Sequence, residues 1–109
     1  MTRRQQPTPL GEALQKYLQE SGLEERLEEA GVVPEWAARV GPAIAAVTEP
    51  LRTSSGALVV AVKSSAWLAE LKLMEREIVR RLNEGRAKGK IRRIRFVMAD
   101  GEPPAGGGG

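Results

Sequence analysis

Eight basic side chains fall within the sixteen residues from Arg80 to Arg95: Arg80, Arg81, Arg86, Lys88, Lys90, Arg92, Arg93 and Arg95. Guanidinium and ammonium groups at that density can neutralise phosphates, with an affinity that falls as salt rises. No aromatic is interleaved among them, because Phe96 alternates out of phase with Arg93 and Arg95. Contact with a polynucleotide would therefore be to its backbone rather than to its bases. The candidate nucleic-acid-binding set is Arg86, Lys88, Lys90, Arg92, Arg93 and Arg95. The competing explanation is a charged edge strand that discourages sheet-to-sheet pairing.

The rest of the chain has the opposite sign. Residues 1–50 hold five Lys/Arg against eight Asp/Glu, net −3, whereas residues 51–109 hold twelve against six, net +6. A cationic segment on an otherwise acidic body points to a polyanion.

Catalytic chemistry has little to work with. The chain has no His and no Cys, so the commonest general base and the best side-chain nucleophile are both missing. The single aspartate is Asp100, and most glutamates sit at helical spacing from a cation, as Glu77 does from Arg81. Gly85-Arg-Ala-Lys-Gly89 follows a helical pattern rather than a strand and lacks the Lys-Ser/Thr pair of a phosphate loop. A metal would have to be held by carboxylates alone, and no acidic loop gathers them. The expectation is a non-enzymatic protein with no cofactor, no metal and no small-molecule substrate.

Trp36 and Trp67 each stand near the start of a helical pattern beside alanines. Scarce aromatics usually fill the largest gap in a small core, and Trp is also enriched at protein interfaces. Both are candidate protein-interaction residues, with Trp67, at a strand-to-helix junction, the more exposed. The leucines between Leu10 and Ala30 are expected to pack on the sheet; an acidic docking face is the alternative.

These groups are positioned by an α+β arrangement. Thr8 and Pro9 start a helix that Ser21-Gly22 ends, and a second, Leu23 to Ala30, exposes its paired glutamates and stops at Gly31. Pro34 opens a third, whose apolar phase (Trp36, Val40, Ile44, Val47) continues across Gly41-Pro42 and predicts one kinked helix. A hairpin turning at Ser55-Gly56 follows, with Leu58, Val60 and Val62 alternating against Val59 and Ala61. Ser64 or Ser65 caps one long helix carrying Leu71, Met74, Ile78 and Leu82, and a strand from Ile91 to Met98 closes the chain. The pattern is ααα-ββ-α-β, a three-stranded sheet with helices on one face. One domain spans 9–99, between a flexible 1–8 and a disordered Gly/Pro-rich 100–109. Apolar runs fall short of the roughly 20 residues that span a bilayer, and no secretory signal opens the chain. A soluble cytoplasmic protein is expected.

Trp36-Ala-Ala-Arg-Val-Gly41, Thr48-Glu-Pro50, Gly56-Ala-Leu58, Val60-Ala-Val62, Ser64-Ser-Ala-Trp67 with Glu70-Leu71, and the strand from Ile91 to Phe96 together resemble the DciA-like family of bacteria. Pro9-Leu10-Gly11 is similar to the start of that family's domain, so the likeness spans about Pro9 to Met98. It implies a KH-like fold similar to the N-terminal domain of the initiator DnaA. It also implies a role in DNA replication: association with the replicative DnaB-type helicase and with DNA, assisting helicase loading or operation. The sequence departs from the family at Pro42. It also nearly lacks the family's long basic extension, having only Thr2 to Thr8 and a neutral Gly tail, which implies weaker DNA binding. An RNA-binding KH-like module is the alternative. It is disfavoured because Gly85 and Gly89 are spaced too widely for a GxxG clamp.

Overall fold

The computed structural model describes residues 8–99. The expected flexible 1–8, apart from Thr8, and the expected tail 100–109 lie outside them. Helix α1 (Pro9–Ser21) begins where Thr8, in extended conformation, accepts a hydrogen bond from the Gly11 N–H at 2.9 Å and Pro9 occupies the first turn. Gly22, left-handed at φ 77°, turns the chain into α2 (Leu23–Ala30). α2 ends at Gly31 as expected, although Gly31 is right-handed, at φ −62°, and α3 (Val32–Val40) follows at once, opening two residues before Pro34.

The single kinked helix divides into α3 and α4 (Pro42–Ala46). Gly41 leaves helical space, at φ 93° and ψ 164°, because Pro42 has no N–H to extend the ladder and its ring disfavours a helical residue before it. Val40 and Ile44 are nevertheless both in the core, so the apolar phase reported burial and not continuity. The expected long last helix likewise consists of α5 (Ser65–Leu73) and α6 (Glu75–Asn83), separated at Met74. There the Met74 N–H turns back to the Leu71 carbonyl at 3.0 Å. Ser64 caps α5, accepting from the Trp67 N–H at 3.2 Å.

Strands β1 (Thr48–Ser54) and β2 (Ala57–Val62) form the hairpin, and β3 (Arg93–Met98) pairs parallel to β2, giving the order β1-β2-β3. Ser55 (φ 49°) and Gly56 (φ 84°) take the two positive-φ positions that a tight hairpin turn requires. The last strand is shorter than the expected 91–98. Ile91 sits before it, gripped on both backbone groups by the Asn83 amide at 2.8 Å each. Leu58, Val60, Val62, Ile94 and Phe96 face the helices and join Trp36, Val40, Ile44, Leu71, Ile78 and Leu82 in one core. The architecture is α+β, a mixed three-stranded sheet with the core helices on one face, as the KH-like expectation described.

α1 does not pack on the sheet. It has no buried residue and touches α2 alone among the elements. Leu10, 80% exposed, Leu14 and Tyr17 all face outward. In α2, Glu25 and Glu28 are exposed as expected, but Leu27 is exposed too while Glu29, expected at the surface, is 5% exposed. No helix among the described residues is long and apolar enough to cross a membrane.

Candidate nucleic-acid interface

The basic segment divides into cations that are compensated and cations that are not. On α6, Arg80 meets Glu77 at 2.6 Å and Glu84 at 3.6 Å, and Arg81 meets Glu77 at 3.1 Å. Those hydrogen bonds, from Arg80 first and Arg81 second, hold the Glu77 carboxyl down from 4.5 to about 2. The Arg80 guanidinium is pushed up in return by its bond to Glu77.

The loop after α6 lies against α2. Arg86 donates to the Glu28 carbonyl at 2.7 Å and pairs with Glu35 at 3.2 Å, its side chain only 9% exposed. Lys88 meets Glu24 at 2.8 Å, a hydrogen bond that raises the lysine. The Gly89 N–H donates to Glu25 at 2.8 Å, and the buried Glu29 carboxylate accepts from the Gly56 N–H. Arg39 adds to the same region, donating to the Arg81 and Glu84 carbonyls at the end of α6 at 3.0 and 2.8 Å. A cleft of about 490 Å³ between these parts is lined by Arg39, Arg86 and Lys88 but also by Glu28 and Glu35, so its charges answer one another.

Of the six candidate residues, then, Arg86 and Lys88 are held by α2 and α3. Lys90, Arg92, Arg93 and Arg95 are exposed and make no ion pair among the described residues. The Arg92 N–H donates to the Gly56 carbonyl at 2.7 Å, and its side chain lies across that turn. Arg93 and Arg95 pair with Ala57 and Val59, which puts them on the sheet face turned away from the core. β3 is an edge strand, as the competing explanation requires. Its outer N–H at Ile94 is already taken by the Glu75 carboxylate at 2.9 Å.

The two tryptophans separate. Trp36 is 2% exposed; its indole N–H donates to Thr48 Oγ1 at 2.9 Å, and that hydroxyl donates to the Ile44 carbonyl at 2.7 Å. A side chain so enclosed has no surface to offer, so Trp36 is a core residue rather than a contact candidate. Trp67 is half-buried against the core and lines a shallow cleft with Ala66 and Glu70. Among the described residues no group of His, Cys, Asp or Glu is arranged to hold a metal ion.

Arg52 is absent from the candidate set, yet the pairing places it opposite Val59 and hence on the same face as Arg95. Counting back from Ser55-Gly56 pairs Ser54 with Ala57 and Thr53 with Leu58, so the side on which Arg52 faces was available from the turn alone. Its neighbourhood to Arg95 was not, because it depends on strand order.

The family model described as "Dna[CI] antecedent, DciA" matches residues 9–96. Among curated proteins the chain is similar to a UPF0232 protein of Streptomyces coelicolor, 35% identical over 93 residues, and to one of Streptomyces avermitilis, 33% identical over 99 residues. A UPF0232 protein of Mycobacterium tuberculosis is 28% identical over 91 residues. These alignments cover 84%, 89% and 84% of this chain and 49%, 54% and 49% of the relatives. The chain spans about half the length of the curated relatives it matches.

Proposed function

The chain belongs to the DciA family, and we propose that it is a non-enzymatic, cytoplasmic DNA-replication adapter. In this role it associates with the replicative DnaB-type helicase and with DNA, and assists helicase loading or operation. The observation that carries the DNA half is the cluster Lys90, Arg92, Arg93 and Arg95, which stays uncompensated while the neighbouring cations are paired with glutamates. Such a cluster favours a phosphate backbone and confers no base preference. The protein contact is assigned to the exposed stripe Leu10, Leu14 and Tyr17 on α1 and to the neighbourhood of Trp67, because apolar surface left in water is stabilised when a partner covers it.

The test is co-purification of the chain with the replicative helicase of the same bacterium at low and high salt. It is paired with titrations against single-stranded DNA, duplex DNA and structured RNA. A helicase complex and a salt-sensitive DNA affinity are expected. No complex at either salt overturns the adapter assignment, and a clear preference for RNA overturns the DNA assignment in favour of an RNA-binding module.

A further inference from the structure

We infer that the sheet face turned away from the core is the surface on which a nucleic-acid strand lies, and that Arg52 of β1 is part of it. This rests on the proposed DNA association and names where on the molecule the phosphates sit.

Two rows of cross-strand neighbours define the surface. Arg52, Val59 and Arg95 stand side by side across β1, β2 and β3, and Ser54, Ala57 and Arg93 form the adjacent row. Strands lie about 4.8 Å apart and same-face residues along a strand about 6.7 Å apart. Arg52 and Arg95 are therefore rooted about 10 Å from one another across the sheet, and Arg93 about 7 Å from Arg95 along it. All three side chains are exposed and make no ion pair among the described residues.

The floor between them is small and apolar: Ala57, Val59, Ala61 and Val97. The core cluster packed by the helices draws on the opposite face, while Val59 and Ala61 of this one are themselves buried. Glu49, opposite Ala61, is the one carboxylate among the described strand residues of the face, one row beyond Arg52. Three guanidiniums around a flat floor without an aromatic platform give a backbone cradle and not a base reader. Arg92, packed across the Gly56 turn, and Lys90 before it extend the positive surface past the end of the hairpin.

A purely structural role for Arg52 makes a different prediction. Val59 and Ala61 are only 7% and 4% exposed although neither joins the helix-packed core cluster, and arginine stems can shield such a floor while their charged ends stay in water. A covering stem would show in the melting temperature and leave the salt dependence of binding untouched.

The experiment is a set of fluorescence-anisotropy titrations of the full chain with a labelled single strand and with a duplex of the same length, each over a series of salt concentrations. Wild type is compared with Arg52→Gln, Arg52→Lys, Glu49→Gln and, as a control on the helical side, Lys72→Gln. Arg52→Gln should weaken binding roughly three- to fivefold at low salt and lower the salt slope by about one. Arg52→Lys should stay near wild type, Glu49→Gln should bind more tightly, and Lys72→Gln should change nothing. A loss in the single-strand arm alone assigns the cradle to an unpaired strand, and an equal loss in both assigns it to any phosphodiester backbone. Wild-type affinity and slope in Arg52→Gln would overturn this inference. No binding by wild type would remove the DNA half of the proposed function as well.

Discussion

The Glu29 carboxylate, at the end of α2, accepts a hydrogen bond from the backbone N–H of Gly56 in the β1–β2 turn. Both residues are buried, and the bond ties the helical hairpin α1–α2 to the sheet. With no buried residue in α1 and only Glu29 buried in α2, the attachment is polar where one would expect it to be apolar. Glu29→Ala leaves the Gly56 N–H without its acceptor and should cost about 1–3 kcal/mol of stability in urea unfolding. Glu29→Gln retains an oxygen at the same position and should cost clearly less.

Gly89 and Gly85 make a paired test of close approach against backbone strain. Both have positive φ, 68° and 79°. A Cβ on Gly89 would run into the Glu28–Glu29 backbone, whereas one on Gly85 meets nothing within 4 Å. Gly85→Ala should therefore cost only the left-handed strain, about 1–2 kcal/mol. Gly89→Ala must also push α2 away from the loop and should cost more than about 3 kcal/mol, read as a lower urea midpoint. Equal losses would show that the loop gives way freely.

How far the sequence disclosed this molecule depended on whether a feature was local. The Thr8 cap, a serine cap at Ser64 or Ser65, the Ser55-Gly56 turn and the inward phase of Ile94 and Phe96 were all legible, because each is set by residues a few positions apart. The break at Met74 was not, since no Gly or Pro marks it. It permits a tertiary contact, the Glu75 carboxylate on the Ile94 N–H. The burial of Glu29 was hidden for a related reason: periodicity shows that a helix has two faces, and only tertiary contacts, the Gly56 N–H on Glu29 and the basic loop on Glu24 and Glu25, decide which residues turn inward. The same contacts explain why the cationic segment, continuous in sequence, is divided in space.

Glu77 gives a pH dependence of definite sign. Its carboxyl is held at about 2 in the folded protein by hydrogen bonds from Arg80 and then Arg81, against 4.5 ordinarily. A carboxyl whose folded pKa is depressed contributes stability that is full above the unfolded pKa and is lost as pH falls toward the folded one. The stability difference between wild type and Glu77→Gln should hold from neutral pH down to about 5 and shrink between about 4.5 and 2. The group is exposed, so the difference should also fall with added salt. Urea melts at several pH values, at low and high salt, give both readings. A difference independent of pH would assign the effect to helix propensity.

Arg86 separates a structural cation from a binding one. It belongs to the same basic run as Arg95, but its side chain is nearly enclosed, donates to the Glu28 carbonyl at 2.7 Å and pairs with Glu35 at 3.2 Å. Removing the guanidinium leaves that carbonyl unanswered and loosens the loop from α2 and α3. Hydrogen bonds from charged groups typically contribute about 1.5–3 kcal/mol, so Arg86→Gln should lower stability by an amount of that order. Arg95, exposed and unpaired among the described residues, is predicted to do the reverse: Arg95→Gln should leave the urea midpoint nearly unchanged and weaken DNA binding with a smaller salt slope. Both variants are to be melted and titrated side by side, the titrations at a temperature where each is fully folded. If folded Arg86→Gln lost as much affinity as Arg95→Gln with the same change in slope, the glutamates of α2 and α3 would not be sequestering this cation, and the phosphate surface would extend around the loop.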